Sequence, residues 1–205
     1  MTEQAGLRER KRQRTHDAIS TAAISLFLER GFDAVSVADV AAAAEVSKPT
    51  LFKYFPTKED LVMHRIADHR GEAARVVAAR GPAESPLAAL RRHFLDGLRC
   101  RDPVTGLNDH PAVLAFHRLV FETPTLTARV ASYIEADEAA LAEALDPRCG
   151  LRARLAAGQV IAVQRILSRD NWRRLSEGRS ADAAYRPAVT AANKAYDLLR
   201  TGLGD

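Results

Sequence analysis

Lysine, threonine and tyrosine side chains are interleaved within residues 45–61, which read EVSKPTLFKYFPTKEDL. A lysine can bind a phosphate or the O6 and N7 atoms of guanine, and a threonine can bond a base edge or offer its methyl group to thymine. A tyrosine hydroxyl donates well to phosphate. A single exposed lysine is usually only solvated, but here Lys48, Thr50, Lys53 and Tyr54 stand together. Their combination indicates a surface for nucleic acid.

Two short helices are predicted on either side of a tight turn at residues 44–47. The first begins at Ser36, and Asp39 stands three residues on as a capping-box partner. The second begins after Ser47, so Pro49 falls in the first turn, where its missing N–H breaks no intrahelical bond. Two short helices joined by so tight a turn are the geometry of a helix-turn-helix, whose second helix can enter a DNA major groove.

The two faces of this second helix have different predicted roles. The residues expected to face inward are Val46, Leu51, Phe52 and Phe55. The residues expected to face outward are Lys48, Pro49, Thr50, Lys53 and Tyr54. The next helix is expected to begin at Thr57, with Asp60 as its capping partner and Lys58 in its first turn. Because a cation there opposes the helix dipole, Lys58 suggests an external anion such as a phosphate.

The bulk composition excludes several classes of protein. The chain has 205 residues, 47% of them hydrophobic, and its two cysteines, Cys100 and Cys149, form no C-x-x-C pair. This argues against a disulfide framework or a zinc site. A polar, charged N-terminus and the lack of a long apolar run predict a soluble, cytoplasmic protein. The net charge of +4 is weak evidence alone, but residues 8–14, RERKRQR, carry five basic residues and one acid. That segment suits either a nucleic-acid arm or a solvated tail.

Nearly every long segment of the chain has the composition and spacing of a helix, and about nine helices are expected, with no strands. The first ends at Arg30, with Gly31 as its C-terminal cap, and the fourth is expected to run unbroken over residues 57–80. Later helices are expected over residues 86–101, 111–121, 124–145, 150–177 and 181–203. The last two carry more than one apolar stripe, which fits either a dimer interface or the core of one large helical domain.

Residues 15–62 resemble the DNA-binding domain of the TetR family of bacterial transcriptional regulators. The resemblance is carried by AAISLFLERGFDAVSVADVAAAAEVS, then K-x-T-L-F-x-Y-F and P-T-K-E-D-L, with Pro49 where the family usually has glycine. It implies an all-α fold: a three-helix helix-turn-helix DNA-binding domain over residues 1–56, and a ligand-binding and dimerisation bundle over residues 57–205, in which residues 57–80 form a linking helix. It also implies a homodimer on an operator, released by a small-molecule effector.

The resemblance assigns roles to particular positions of this chain. It implies phosphate contacts from Ser36, Ser47, Tyr54 and Lys58. It implies base or groove-floor contacts from Lys48, Pro49, Thr50 and Lys53. The basic segment, with Arg12 and Arg14, would add a minor-groove or phosphate contact.

An effector pocket would be built between helices of the second domain, mostly from apolar side chains with a few polar anchors. The candidate residues are Phe94, Cys100, His110, Leu114, His117, Phe121, Tyr133, Gln164 and Trp172. His93 and His117 stand in apolar stretches, where a histidine can titrate or bind a metal. No G-x-S-x-G, glycine-rich phosphate loop or H-E-x-x-H is present, so neither an enzyme nor a cofactor is expected. The alternative to a ligand-responsive repressor is a constitutive DNA-binding protein, or an activator, whose second domain only dimerises.

Overall fold

A computed structural model describes residues 2–202 of the chain, with side chains from residue 10 onward. Every regular element in that span is helical, which confirms the all-α prediction. Ten α-helices lie there, with one 3-10 turn at Pro103–Thr105. The helices are α1 (Thr2–Arg30), α2 (Val37–Ala43), α3 (Lys48–Tyr54), α4 (Asp60–Ala67), α5 (Glu72–Ala78), α6 (Pro86–Cys100), α7 (Pro111–Glu122), α8 (Pro124–Leu145), α9 (Leu151–Ser176) and α10 (Ala181–Thr201). None of these helices is long and apolar enough to cross a membrane.

The chain divides into two compact units. The first comprises the residues up to Asp68 together with Ala115–Val130, and the second comprises His69–Leu114 and Ala131–Asp205. The sequence predicted a single division after residue 56. The first unit instead extends to Asp68 and also takes in part of α7 and part of α8. Residues Ala115–Val130 therefore belong to the same unit as α1 to α4.

The first unit is built on the buried face of α1. Ile19, Ala23 and Phe27 recur every four residues, which places them on one side of a helix, and all three are almost fully buried. Gly31 ends α1 with φ +87°, and its N–H donates to the Phe27 carbonyl at 2.9 Å. This is the left-handed C-terminal cap expected for glycine at that position.

The predicted capping box before α2 is present, and the predicted reciprocal pair of Thr57 and Asp60 is formed in the turn that precedes α4. The Asp39 carboxylate accepts from the Ser36 N–H at 2.8 Å, and the Asp39 N–H donates to the Ser36 hydroxyl at 3.2 Å. Before α4, the Asp60 carboxylate accepts from the Thr57 N–H at 3.0 Å, and the Asp60 N–H donates to the Thr57 hydroxyl at 3.2 Å. These pairs satisfy backbone donors that have no partner inside the helices.

The prediction of one unbroken helix over residues 57–80 is wrong. Helix α4 ends at Ala67 and α5 begins at Glu72, and residues 68–71 form turns between them. Gly71 has φ +67°, a left-handed conformation that interrupts a right-handed helix. Its N–H donates instead to the Asp137 carboxylate on α8 at 2.7 Å. A glycine in the middle of the predicted helix was the sequence signal for this break.

The second unit packs α6 and α9 against a face of small residues on α10. Ala184, Ala188 and Ala192 lie one turn apart and are buried, which lets neighbouring helices approach closely. The same face ends at Tyr196, whose hydroxyl donates to the Leu90 carbonyl at 3.2 Å. The core around it contains Phe94, Leu98, Leu107, Leu141, Val160 and Leu175.

The 3-10 turn is fastened to α9 by close backbone contact. The buried Asn171 amide donates to the Thr105 carbonyl at 2.9 Å, and the Ser168 hydroxyl donates to the Val104 carbonyl at 2.8 Å. Gly106 has φ +72°, and a Cβ at that position would collide with the Ser168 carbonyl. The turn therefore requires glycine for two reasons, its backbone conformation and its lack of a side chain.

Candidate nucleic-acid interface

The turn between α2 and α3 is as tight as the sequence predicts. The Val46 N–H donates to the Ala41 carbonyl at 3.0 Å, and the Glu45 N–H donates to the Ala42 carbonyl at 3.1 Å. Glu45 lies in the left-handed region with φ +53°, which reverses the chain in one residue. Helix α3 then begins at Lys48 and so follows α2 after four residues, 44–47.

Ser47 caps α3, and Pro49 lies in its first turn, both as predicted. The Ser47 hydroxyl accepts from the Thr50 N–H at 3.2 Å and lies 2.8 Å from the Thr50 hydroxyl. One of these two hydroxyls donates its hydrogen to the other. The remaining hydroxyl hydrogen is available to an outside acceptor, so Ser47 and Thr50 together can offer one bond to a phosphate or a base edge.

Helix α3 has one buried face and one exposed face. Leu51 and Phe55 are buried, while Lys48, Pro49 and Lys53 are exposed, and Thr50 and Tyr54 are half-buried. The exposed face presents two ammonium groups close to a proline ring and, at its edges, two hydroxyls. This arrangement can contact both a phosphate backbone and base edges.

The prediction that Phe52 faces inward is wrong, because 46% of this residue is exposed. Leu51 and Phe55 are four residues apart and share the buried face, whereas Phe52 follows Lys48 by four residues and Pro49 by three. Helical spacing thus places Phe52 on the exposed face, and residue type alone suggested the opposite. An exposed phenyl ring beside Lys48 adds an apolar group that can contact a thymine methyl.

Lys58 makes contacts within the first unit that explain its position. Its ammonium donates to the Phe32 carbonyl at 2.5 Å and lies 4.3 Å from the centre of the Phe32 ring. It also precedes α4, which begins at Asp60, so it does not occupy the first turn of a helix. A phosphate contact from Lys58 stays a prediction, and it would share or replace the bond to Phe32.

The Ser36 hydroxyl, like the Lys58 ammonium, already has a hydrogen-bond partner within the first unit. It donates to the Asp39 carboxylate at 2.6 Å, in addition to the capping bonds. These hydrogen bonds from the Ser36 side chain and backbone lower the pKa of Asp39, so the carboxylate stays ionised at the start of α2. A phosphate contact from Ser36 stays a prediction that requires its hydroxyl to turn away from Asp39.

Arg12 and Arg14 lie on α1 and are exposed. The backbone of residues 8–14 is helical there, and the side chain of Arg8 lies outside the described residues. A helix about 10 Å across is too wide for a minor groove about 6 Å wide. The helical backbone therefore favours phosphate contact over minor-groove insertion for this basic segment.

The nine candidate effector residues do not lie in one unit. His117 and Phe121 belong to the first unit, where their ring centres are 5.5 Å apart. Cys100 and His110 are exposed, and the His110 ring accepts from the Ala112 N–H at 3.2 Å near the start of α7. Half-buried positions in the second unit are occupied by Leu114, Tyr133 and Trp172.

Two of the candidates, Gln164 and Phe94, meet at Tyr196 of α10. The Gln164 amide donates to the Tyr196 hydroxyl at 2.9 Å, and the Phe94 ring centre lies 6.3 Å from that of Tyr196. Burial raises the pKa of Tyr196 to about 12, so its hydroxyl stays protonated. These three side chains form a mixed apolar and polar cluster in the second unit.

His93, which stands in an apolar stretch of sequence, has a carboxylate partner. Its Nε2 lies 3.1 Å from one oxygen of Glu72, and His69 Nδ1 lies 3.1 Å from the other. The hydrogen bond to Glu72 raises the pKa of His93, and bonding to the two histidines lowers the pKa of Glu72 to about 2. This pairing accounts for the position of His93 without a ligand.

A helix-turn-helix with a buried apolar face and an exposed basic one, followed by a second helical unit, defines a class of helix-turn-helix regulator. Residues 19–64 match the family model described as bacterial regulatory proteins, tetR family. Over 97% of this chain and 88% of the relative, the sequence is 32% identical to the transcriptional regulator TcmR of Streptomyces glaucescens. The chain therefore belongs to the TetR family of transcriptional regulators.

Other comparisons agree with this assignment. The transcriptional repressor Rv3405c of Mycobacterium tuberculosis is 39% identical over 40% of this chain and 44% of its own. The crystal structure of NalD, a secondary repressor of the MexAB-OprM multidrug efflux pump in Pseudomonas aeruginosa, superposes with a TM-score of 0.60. That alignment covers 91% of this chain and 97% of NalD at 17% identity, so it supports the fold alone.

Proposed function

We propose that this regulator binds a palindromic operator as a homodimer, represses transcription there, and is released by a small-molecule effector. The exposed face of α3 carries this proposal, because Lys48, Pro49 and Lys53 point away from the core that Leu51 and Phe55 join. One α3 from each subunit would enter successive major grooves about one helical turn apart. Lys48, Pro49, Thr50 and Lys53 would contact bases or the groove floor, and Ser47 and Tyr54 would hold phosphates. The ammonium of Lys53, in the last turn of α3, would also reach a phosphate.

An exposed apolar face supports the dimer. Leu151, Leu155 and Ile166 of α9 are each more than half exposed, and Leu198 of α10 is 48% exposed. Large exposed apolar side chains on two long helices are typical of a surface that a partner covers. We propose that α9 and α10 of two subunits form a four-helix interface that covers them.

Effector binding is proposed for the second unit, with a largely apolar ligand. The cluster of Phe94, Gln164 and Tyr196 combines buried apolar surface with an amide and a hydroxyl that can orient a ligand. The turn at residues 68–71 means that a signal toward α3 cannot pass along one rigid helix. Gly71 and its bond to Asp137 are the proposed points at which the chain adjusts.

A double variant tests the DNA-binding part of the proposal. Lys48→Ala with Tyr54→Phe should abolish binding to the operator while the protein still sediments as a dimer. Both substitutions leave the buried residues of α3 intact, so the melting temperature should stay close to that of the unmodified protein. If the double variant still binds the operator, α3 is not the recognition helix.

Effector response has its own test. A ligand that binds the native protein should raise the melting temperature and lower operator affinity together, because the two equilibria are linked. A protein that keeps its operator affinity with every bound ligand would support the alternative, a constitutive DNA-binding protein or activator whose second unit only dimerises.

A further inference from the structure

Two histidines of the first unit meet beside the end of the proposed recognition helix. His16 on α1 and His64 on α4 lie edge to face, with ring centres 5.2 Å apart. Both rings contact Phe55, which ends α3: the centre of the His16 ring is 4.6 Å from that of Phe55, and the centre of the His64 ring is 5.3 Å away. The three rings thus connect α1, α4 and the end of α3.

Each histidine of the pair has a hydrogen-bond partner on α1. His64 Nε2 lies 2.7 Å from the hydroxyl of Ser20, which is buried. His16 Nδ1 lies 3.3 Å from the carboxylate of Asp17, which also accepts from Gln13 at 2.8 Å. His64 is therefore held inside the unit, while His16 stands at its edge beside an exposed carboxylate.

The surroundings of the pair contain more positive than negative groups. A cleft of about 770 Å³ opens beside both histidines. Its charged and titratable lining groups are Arg12 and Asp17 from α1, Lys53 and Tyr54 from α3, and Arg65 and Asp68 just before and after the end of α4. Three permanent cations and two carboxylates therefore face the histidines, and a proton on the half-buried His64 would add a further positive charge to this set.

Protonation of His64 is disfavoured in the folded unit. Burial and the neighbouring His16 lower the pKa of His64 below its ordinary value of 6.5, although the Asp60 carbonyl opposes this. The ring is neutral at neutral pH and packs against Phe55 as an aromatic group. In acid, the charged ring would gain solvation only by moving away from Phe55 and His16.

We propose that His16 and His64 form a proton-responsive contact that loosens the end of α3 in acid and so weakens operator binding. The proposal rests on the proposed function of α3. Phe55 is the physical link, because its ring packs against both histidines and its N–H donates to the Leu51 carbonyl at 2.9 Å. A displacement of Phe55 moves Tyr54 and Lys53 with it, and these are proposed DNA contacts.

The size of the effect follows from proton linkage. If binding requires neutral His64, affinity falls by up to about tenfold for each pH unit below the pKa of the free protein. A second effect has the opposite sign, since any histidine near DNA gains a proton more readily beside phosphate. The pH dependence of the affinity ratio between the unmodified protein and a His64 variant shows which of these two opposing effects of His64 is larger.

His64→Gln is the informative substitution, because glutamine keeps a bond to Ser20 and cannot take a proton in this range. Operator affinity is measured from pH 7.5 to 5.5 for the unmodified protein, His64→Gln and the control His69→Gln, whose histidine belongs to the second unit. We expect the ratio of the affinity of the unmodified protein to that of His64→Gln to fall at least about threefold on acidification. His69→Gln should follow the unmodified protein. One common pH profile for all three proteins overturns the proposal.

A measurement without DNA keeps this test separate from that of the proposed function. Ring protons of His16, His64 and Phe55 are followed by NMR through the same pH range in the free protein. We expect His64 to titrate below 6.5 and Phe55 to shift with the same midpoint. In His16→Gln, the pKa of His64 should rise, because the neighbouring His16 lowers it. This second variant tests the same contact if His64→Gln fails to fold. A stationary Phe55 signal overturns the proposal, whereas absence of DNA binding at pH 7.5 overturns only the proposed function.

Discussion

Removing the ammonium of Lys53 should flatten the salt dependence of operator binding. Lys53 is exposed in the last turn of α3, so its loss removes a charge without disturbing the core. A dimer loses two phosphate contacts, and each contact contributes about 0.9 to the slope of log affinity against log salt. The slope should therefore become shallower by about 1.8, which between 50 and 200 mM salt corresponds to about tenfold in affinity.

The assay is fluorescence anisotropy of a labelled operator duplex at four or more salt concentrations, with Lys53→Ala beside the unmodified protein. The matched control is Arg179→Ala, which removes one exposed positive charge from the turn between α9 and α10. That control changes net charge equally but should leave the slope unchanged. A slope for Lys53→Ala equal to that of the unmodified protein, or an equal change in Arg179→Ala, would refute the reasoning.

Three further outcomes are expected. Ser47→Ala should lower the free energy of unfolding by about 1 kcal/mol through loss of the α3 cap, measured by urea denaturation. Phe52→Ala should weaken binding most at operators with a thymine opposite that position. Affinity is compared on the thymine duplex and on a duplex in which uracil, which lacks the methyl group, replaces that thymine. An equal loss of affinity on the two duplexes would contradict the contact. Glu72→Gln should destabilise the second unit most between pH 4.5 and 6.5. The Glu72 carboxylate contributes to the free energy of unfolding above its ordinary pKa of 4.5, and this contribution is lost as pH falls toward the lowered pKa of about 2. Protonated His93 contributes below its ordinary pKa of 6.5, and this contribution is lost as pH rises through the raised pKa. A pH-independent difference from the unmodified protein would contradict this pairing.

The parts of the first unit that the sequence predicted correctly depend on local interactions. Ser36 with Asp39, Ser47 with Thr50 and Thr57 with Asp60 lie three residues apart, and their hydrogen bonds follow from that spacing alone. The turn at residues 44–47 is short enough to be fixed by its own backbone bonds. Such features do not depend on the rest of the fold.

One wrong prediction neglected helical spacing, and the others depend on contacts between residues far apart in the chain. Phe52 was placed by residue type, although its distance from Lys48 and Pro49 along the helix puts it on the exposed face. The break at Gly71 is stabilised by Asp137, 66 residues further along the chain, and Lys58 bonds to Phe32, 26 residues before it. The candidate effector residues scatter for the same reason, because tertiary packing decides which half-buried side chains meet.

Selection of bound sequences from random double-stranded DNA by the purified protein tests the central claim most directly. The account predicts enrichment of one inverted repeat whose half-sites are centred about 10 base pairs, or a multiple of one helical turn, apart. The same selection with the Lys48→Ala, Tyr54→Phe protein should enrich nothing. Enrichment of the same repeat by this variant, or no enriched sequence with the unmodified protein, would contradict the account.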